Sequence, residues 1–340
     1  MSRPTTARTA TRVHPLKAAR PSRAGNPQPP GARSFLSLTD VTPEELAACL
    51  AEAARLKQAR ASGRRRLETP LSGRHVALLF NKPSLRTRVT FEVAVRELGG
   101  DPILIPSDVA LGGRESAADV ARNLERWVDA VVIRTFAQQV LEEFATAAPR
   151  LHVVNALTDE EHPCQAVADL LTLQERFGTL AGRTIAYIGD GNNVATSLAQ
   201  AAVMAGMHVH LASPDGYVLP DRIQEQVARL ARHDAALRLF TDPKAAVTGA
   251  CAVYTDVWTS MGQEHESRER ERAFAGYQVN EALMARARSH AIFMHCLPAH
   301  RGDEVTVEVI ESPASVVFDQ AENRLHAQKA LLLMLIAGPS

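Results

Sequence analysis

The chain has no surplus of charge of either sign: 38 Lys and Arg balance 38 Asp and Glu across 340 residues. That balance removes the global electrostatic case for nucleic acid or an anionic membrane as partner, so any anion recognition has to be built locally. Cysteine is scarce. Cys49, Cys164, Cys251 and Cys296 are widely scattered, without the paired spacing that makes a disulfide framework or a zinc ribbon, and a reducing, cytoplasmic setting fits best. Long apolar runs are missing too. The longest, Ala330 to Ala337, falls far short of a bilayer span, which leads us to expect a soluble protein with no membrane partner. What remains is bulk: 340 residues at 46% hydrophobic content suffice for two domains, each with its own core, and for a small-molecule partner.

The first 34 residues stand apart. Arg3, Arg8, Arg12, Lys17, Arg20, Arg23 and Arg33 come with no acidic residue before Asp40, and Pro27, Pro29 and Pro30 cluster. Residues 1–34 therefore read as a disordered basic tail. A mitochondrial leader has a similar acid-free, Arg-rich composition and would place the protein in the matrix. Pro15 and Pro21 interrupt the amphipathic helix such a leader needs, so the tail reading is the one taken.

Beyond residue 35 the hydrophobic pattern alternates helices with short β-branched runs, as parallel sheets covered by helices require. Strands are expected at 75–81, 102–106, 130–136, 151–156, 184–189, 207–212, 237–240, 252–257 and 291–296. Helices are expected at 43–60, 84–98, 116–128, 138–148, 164–177, 193–205, 221–233, 279–288 and 321–336. Gly178 to Gly182 marks a break. The expected fold class is α/β, two doubly wound parallel-sheet domains at 35–177 and 178–320, joined by helices, with a helix in 321–340 packing back on the first and the active site in the cleft between them.

Open α/β sheets bind ligands beyond the carboxyl ends of their strands, and the polar residues of this chain gather there. Ser84-Leu85-Arg86-Thr87-Arg88 follows the first strand and opens a helix, where free N–H groups, the dipole and guanidinium groups together make an anion site; an ordinary solvated first turn is the plainer alternative. Arg88 and Glu92 lie four apart on that helix, so their ion pair is expected and Arg88 is given only a supporting part. Arg134 closes the third strand, His162-Pro163-Cys164-Gln165 opens a helix, and Asp256 precedes Ser260-Met261-Gly262. An uncharged His162 at a helix start would offer an N–H to an oxygen gaining charge. Gly189-Asp190-Gly191 suggests a dinucleotide loop, but the third glycine of that motif falls on Val194. His295 and Cys296, adjacent on a strand, should point to opposite faces and so not share a metal; no metal is expected.

These segments, with His295-Cys296-Leu297-Pro298 and Glu322-Asn323-Arg324, occur in one order over residues 35–336, and that set resembles the ornithine carbamoyltransferases. The resemblance implies one α/β domain for carbamoyl phosphate and one for ornithine, assembly as a homotrimer or a multiple of trimers, and no metal or organic cofactor. Carried over residue by residue, Ser84, Leu85 (through its backbone), Arg86, Thr87, Arg134, His162, Gln165, Cys296, Leu297 and Arg324 would hold carbamoyl phosphate. Asn193, Asp256, Ser260 and Met261 would hold ornithine. Arg86, Arg134, His162, Asp256 and Cys296 would be catalytic, with Asp256 and a thiolate-leaning Cys296 assisting deprotonation of the δ-amine.

Two departures from the family pattern stand out. Leu85 replaces the usual threonine, which removes a hydroxyl and is shared with relatives that use N-acylated ornithine, although Ser260-Met261-Gly262 matches users of free ornithine. Ala110 replaces a residue that reaches a neighbouring subunit. The product would be citrulline, most simply in arginine biosynthesis, with a catabolic role in the arginine deiminase pathway as the alternative. An aspartate-using relative and a catalytically silent scaffold remain as further readings.

Overall fold

A computed structural model describes residues 31–63, 69–106, 111 and 115–337 of the chain. The basic tail up to residue 30 and Ala110 lie outside the described residues. Residues 31–34, the last of the stretch read as tail, are tied down: Ala32 N–H donates to Pro149 O at 2.8 Å, and Arg33 pairs with Glu45 at 2.7 Å.

The chain forms two parallel sheets. The first holds β1 (His75–Phe80), β2 (Asp101–Ile105), β3 (Ala130–Arg134) and β4 (His152–Leu157) in the order β2-β1-β3-β4. The second holds β5 (Thr184–Ile188), β6 (His208–Ala212), β7 (Leu237–Phe240), β8 (Ala252–Thr255) and β9 (Ile292–Met294) in the order β7-β6-β5-β8-β9. Every registered pair is parallel. Helices cover both faces, which is why β3 (AVVIR) is buried at all five positions and reads as a continuous apolar run rather than an alternating one. All nine expected strands are present.

The helices differ more from expectation. Ser267–Phe274 forms a helix that the sequence does not announce, because in SRERERAF only Arg270 and Phe274 are buried and no apolar stripe exists. Pro243–Val247 and Val307–Ile310 are a turn or so long and too short to show a period. The expected 279–288 helix contracts to Glu281–Met284, and 116–128 to Ala117–Leu124. The C-terminal helix starts earlier than expected, at Val317, and runs to Leu332. It packs on the first-domain helices Pro43–Ala61, Leu85–Glu97 and Pro163–Phe177. Lys329 is nearly buried against Glu97, and Lys57 donates to Asn323 Oδ1 at 2.8 Å. The last helix of the chain is thereby fixed to the domain formed by its beginning.

Each sheet reverses strand order once, between β1 and β3 and between β5 and β8. These are the points where an open sheet forms a crevice beyond its strand ends, and both crevices open toward one cleft. At the second, Gly191 is needed for packing and not for a pyrophosphate. A Cβ built there would lie 2.5 Å from Leu219 N and 2.6 Å from Val218 C, and Gly191 N–H donates to Tyr217 O at 2.7 Å.

Gly191→Ala is expected to force the 217–219 segment outward and to destabilise the fold by about 1–3 kcal/mol. Gly276→Ala, with nothing within 4 Å of its Cβ, is expected to be neutral within about 1 kcal/mol. Equal urea midpoints for the two variants would contradict this.

Candidate active site

The cleft holds a cavity of about 810 Å³. Its first-domain wall is laid down by loops leaving β1, β3 and β4. Ser84 caps the helix Leu85–Glu97 by accepting from Thr87 N–H at 3.2 Å. This turns the first-turn amides and the side chains of Arg86 and Thr87 into the cavity, and Leu85 lines it too, 77% exposed at the rim. Arg134 enters from the end of β3, His162 from the loop after β4, and Arg324 from the C-terminal helix.

Four of these groups are nearly buried: Thr87 (1% exposed), Arg134 (6%), His162 (4%) and Arg324 (3%). Arg324 donates from one terminal nitrogen to Gln165 Oε1 and from the other to Thr87 Oγ1 at 2.6 Å. Among the described residues the Nε atoms of Arg134 and Arg324 and Nδ1 of His162 have no hydrogen-bond partner. Burial, followed by the nearby positive charge of Arg324, pushes Arg134 down to about 10. Burial first, and then Arg324, Arg134 and Lys82, hold His162 well below its ordinary value, so its imidazole is neutral, as the sequence suggested. The wall is a cluster of desolvated donors shaped for an anion.

The second-domain wall is built around Asp256, just past β8. Its Oδ2 accepts from Asn192 Nδ2 at 2.9 Å and its Oδ1 from Cys296 Sγ at 3.1 Å. Asn192 is itself fixed: its Oδ1 caps the helix Asn193–Met204 through Val194 and Ala195 N–H, both at 3.0 Å. Cys296 is the thiol donor in this pair. Burial, and then the charge of Asp256 beside it, raise it well above the ordinary thiol range. The thiolate-leaning cysteine expected from the sequence is therefore corrected: a buried sulfur against a carboxylate keeps its proton.

Asn193, Ser260, Met261 and Leu297 also line the cavity. Asn193 donates to Thr158 O across the domain junction. Of the expected site residues only Gln165 is set back from the cavity wall, and it acts through Arg324.

Two further expectations are corrected. Glu92 pairs with Arg96, at 3.1 Å, and not with Arg88, which is exposed. His295 and Cys296 do not alternate across a sheet, because β9 ends at Met294; ligand atoms of Asp256, His295 and Cys296 lie within 4.8 Å of one another. They are engaged in hydrogen bonds: His295 Nδ1 accepts from Leu297 N–H at 2.9 Å, and Nε2 faces Glu304 Oε1 at 3.1 Å.

Sequence reasoning missed several cavity residues. Lys82, 3% exposed, pairs with Asp159 and sits 4.3 Å over the Phe136 ring; its place two residues before Ser84, past the same strand end, was the available signal. Arg270 donates to Asp190 Oδ2 at 2.7 Å and to Trp258 O at 3.0 Å, anchoring the segment that carries Ser260 and Met261. It lies in the helix that has no apolar stripe, so nothing in the pattern pointed to it.

An α/β protein with two facing switch-point crevices, buried cations on one wall and a carboxylate–thiol pair on the other, is a two-substrate group-transfer enzyme whose one substrate is an anion. Residues 33–175 match the aspartate/ornithine carbamoyltransferase carbamoyl-P binding domain, and residues 181–335 match the Asp/Orn binding domain of the same family. An ornithine carbamoyltransferase of Symbiobacterium thermophilum is 52% identical over 307 residues, covering 90% of this chain and 98% of that protein. The crystal structure of the enzyme from Thermus thermophilus is 44% identical with a TM-score of 0.80, covering 89% of this chain and 99% of that one. The structure from Pyrococcus furiosus is also 44% identical, with a TM-score of 0.87 and coverage of 91% and 99%. The chain belongs to the aspartate/ornithine carbamoyltransferase family and is a carbamoyltransferase.

Because the folded protein resists protonating His162, this group's contribution to stability is complete above its ordinary value of 6.5 and is lost as pH falls below it, where the unfolded chain takes the proton. His162→Gln is expected to lose less stability than the parent between pH 7.5 and 5.5, by melting temperature; an identical loss would contradict a neutral buried imidazole. Iodoacetamide at pH 7.5 is expected to leave Cys296 unmodified by mass spectrometry. Rapid labelling of Cys296 in the folded protein would contradict the raised thiol.

Proposed function

We propose that the protein transfers the carbamoyl group of carbamoyl phosphate to the δ-amine of L-ornithine, giving L-citrulline and phosphate. One observation carries this reading: Arg86, Thr87, Arg134, His162 and Arg324 face Asp256 and Cys296 across a single cavity. The cationic wall suits a phosphate dianion, with the helix N-terminus and the Arg86 fork on its oxygens. Attack of the amine on the carbamoyl carbon places negative charge on the carbonyl oxygen, and donors from Arg134, Thr87 and neutral His162 are positioned to stabilise it while phosphate departs. Asp256, acceptor-only when ionised and fixed by Asn192 and Cys296, binds the amine end of ornithine and is the anion nearest its proton. The names of the ornithine carbamoyltransferases that this chain resembles over most of its length support ornithine as the acceptor.

The same reading includes assembly as a homotrimer or a multiple of trimers. Support comes from exposed apolar side chains on the first domain: Leu85 and Val89 (48% exposed) on one helix, and Ile103 (41%) and Leu104 (39%) on β2, which among the described residues is an edge strand paired with β1. Exposed edge strands with apolar side chains are ordinarily covered. A role in arginine biosynthesis in the cytoplasm completes the proposal, and four unpaired cysteines are consistent with a reducing compartment.

Carbamoyl transfer measured in parallel with ornithine, N-acetylornithine and aspartate is expected to proceed with ornithine alone. Arg86→Ala should lower kcat/KM by about 10²–10³. Turnover of N-acetylornithine but not ornithine would overturn the acceptor assignment, and a monomer by sedimentation at micromolar concentration would overturn the assembly.

A further inference from the structure

Asp169 is fully buried on the helix Pro163–Phe177 and lines no part of the cavity. Its Oδ1 accepts from two side-chain amides, Gln165 Nε2 at 2.7 Å and Gln320 Nε2 at 2.7 Å. Both glutamines are buried, and each passes its other end onward. Gln165 Oε1 accepts from Arg324, whose second terminal nitrogen holds Thr87 Oγ1. Gln320 Oε1 accepts from His295 N–H at 3.0 Å, at the start of the turn that carries Cys296 and Leu297.

A carboxamide has a donor end and an acceptor end; burial pushes Asp169 up to about 7, and its Oδ1 accepts whether the group is ionised or carries a proton on Oδ2. Facing Asp169, each glutamine has one permitted orientation, with its NH2 toward the carboxylate and its oxygen away. Were Gln165 to turn over, its NH2 would meet the Arg324 guanidinium, donor against donor, with both groups buried. We infer that Asp169 is a positioning residue for carbamoyl transfer: by fixing the polarity of Gln165 and Gln320 it aims Arg324 at the phosphate side of the cavity and anchors the Cys296–Leu297 turn on the other. This rests on the proposed reaction.

The test keeps or removes the acceptor that the two glutamines share. Gln165→Glu alone sets two carboxylates against each other and is expected to lower kcat/KM for carbamoyl phosphate by about 30-fold or more. Asp169→Asn, oriented so that its Oδ1 still accepts from both Gln165 and Gln320, is expected to keep kcat/KM within about 10-fold of the parent. Asp169→Leu, which removes the acceptor, should be impaired like Gln165→Glu. Circular dichroism verifies folding, and calorimetric titration with inorganic phosphate reads the aim of Arg324 without turnover. If the parent binds phosphate but transfers nothing to ornithine, the reaction is misassigned and the phosphate titrations alone decide the positioning role. A folded Asp169→Asn as impaired as Asp169→Leu in kcat/KM and in phosphate binding, or a fully active Asp169→Leu, would overturn the inference.

Discussion

Two guanidinium groups buried side by side determine much else in this molecule. Arg134 and Arg324 are each almost out of reach of water, and each is disfavoured in its charged form by burial. Arg134 is pushed lower still by its neighbour. Placing cations together in a desolvated pocket costs stability. In the proposed reaction the phosphate dianion offsets that cost, and packing around the two guanidinium groups orients their donors in advance.

The fold supports this arrangement from both ends of the chain. Arg134 is carried on β3, buried on both faces in the middle of the first sheet. Arg324 rides on the last helix, which is packed on three helices of the first domain although the second domain intervenes in sequence. The second sheet contributes the opposite polarity, a carboxylate held by Asn192 and by a thiol kept protonated by burial. Ser197 ties the walls together, accepting His162 N–H at 2.9 Å and facing Glu161 Oε2 at 3.3 Å.

How much of this the sequence displayed depends on how each residue earns its place. The central strands, buried on both faces, are continuous apolar runs; these and the less buried edge strands were legible, and so were residues at their carboxyl ends such as Arg134 and Asp256. Arg270 was not, because its helix is charged along its length and its importance comes from a contact with Asp190, 80 positions away. Gln165 was assigned to the substrate by resemblance, yet it reaches the site only through Arg324, a relation fixed by tertiary packing. The protonation of Cys296 was misread because a thiolate-leaning role was carried over with the resemblance, while in space its neighbour is a carboxylate and its sulfur is buried. The chain segments predicted their own local shape well and predicted poorly the electrostatic company they would keep.

The most direct test of the central claim is the melting temperature of Arg134→Met with and without inorganic phosphate. If buried cations are held against their own repulsion for the sake of the anion, the substitution raises the melting temperature of the ligand-free protein by about 2–4 °C and removes most of the rise that phosphate produces in the parent. A variant that melts lower without phosphate, and is stabilised by it as strongly as the parent, would contradict the account.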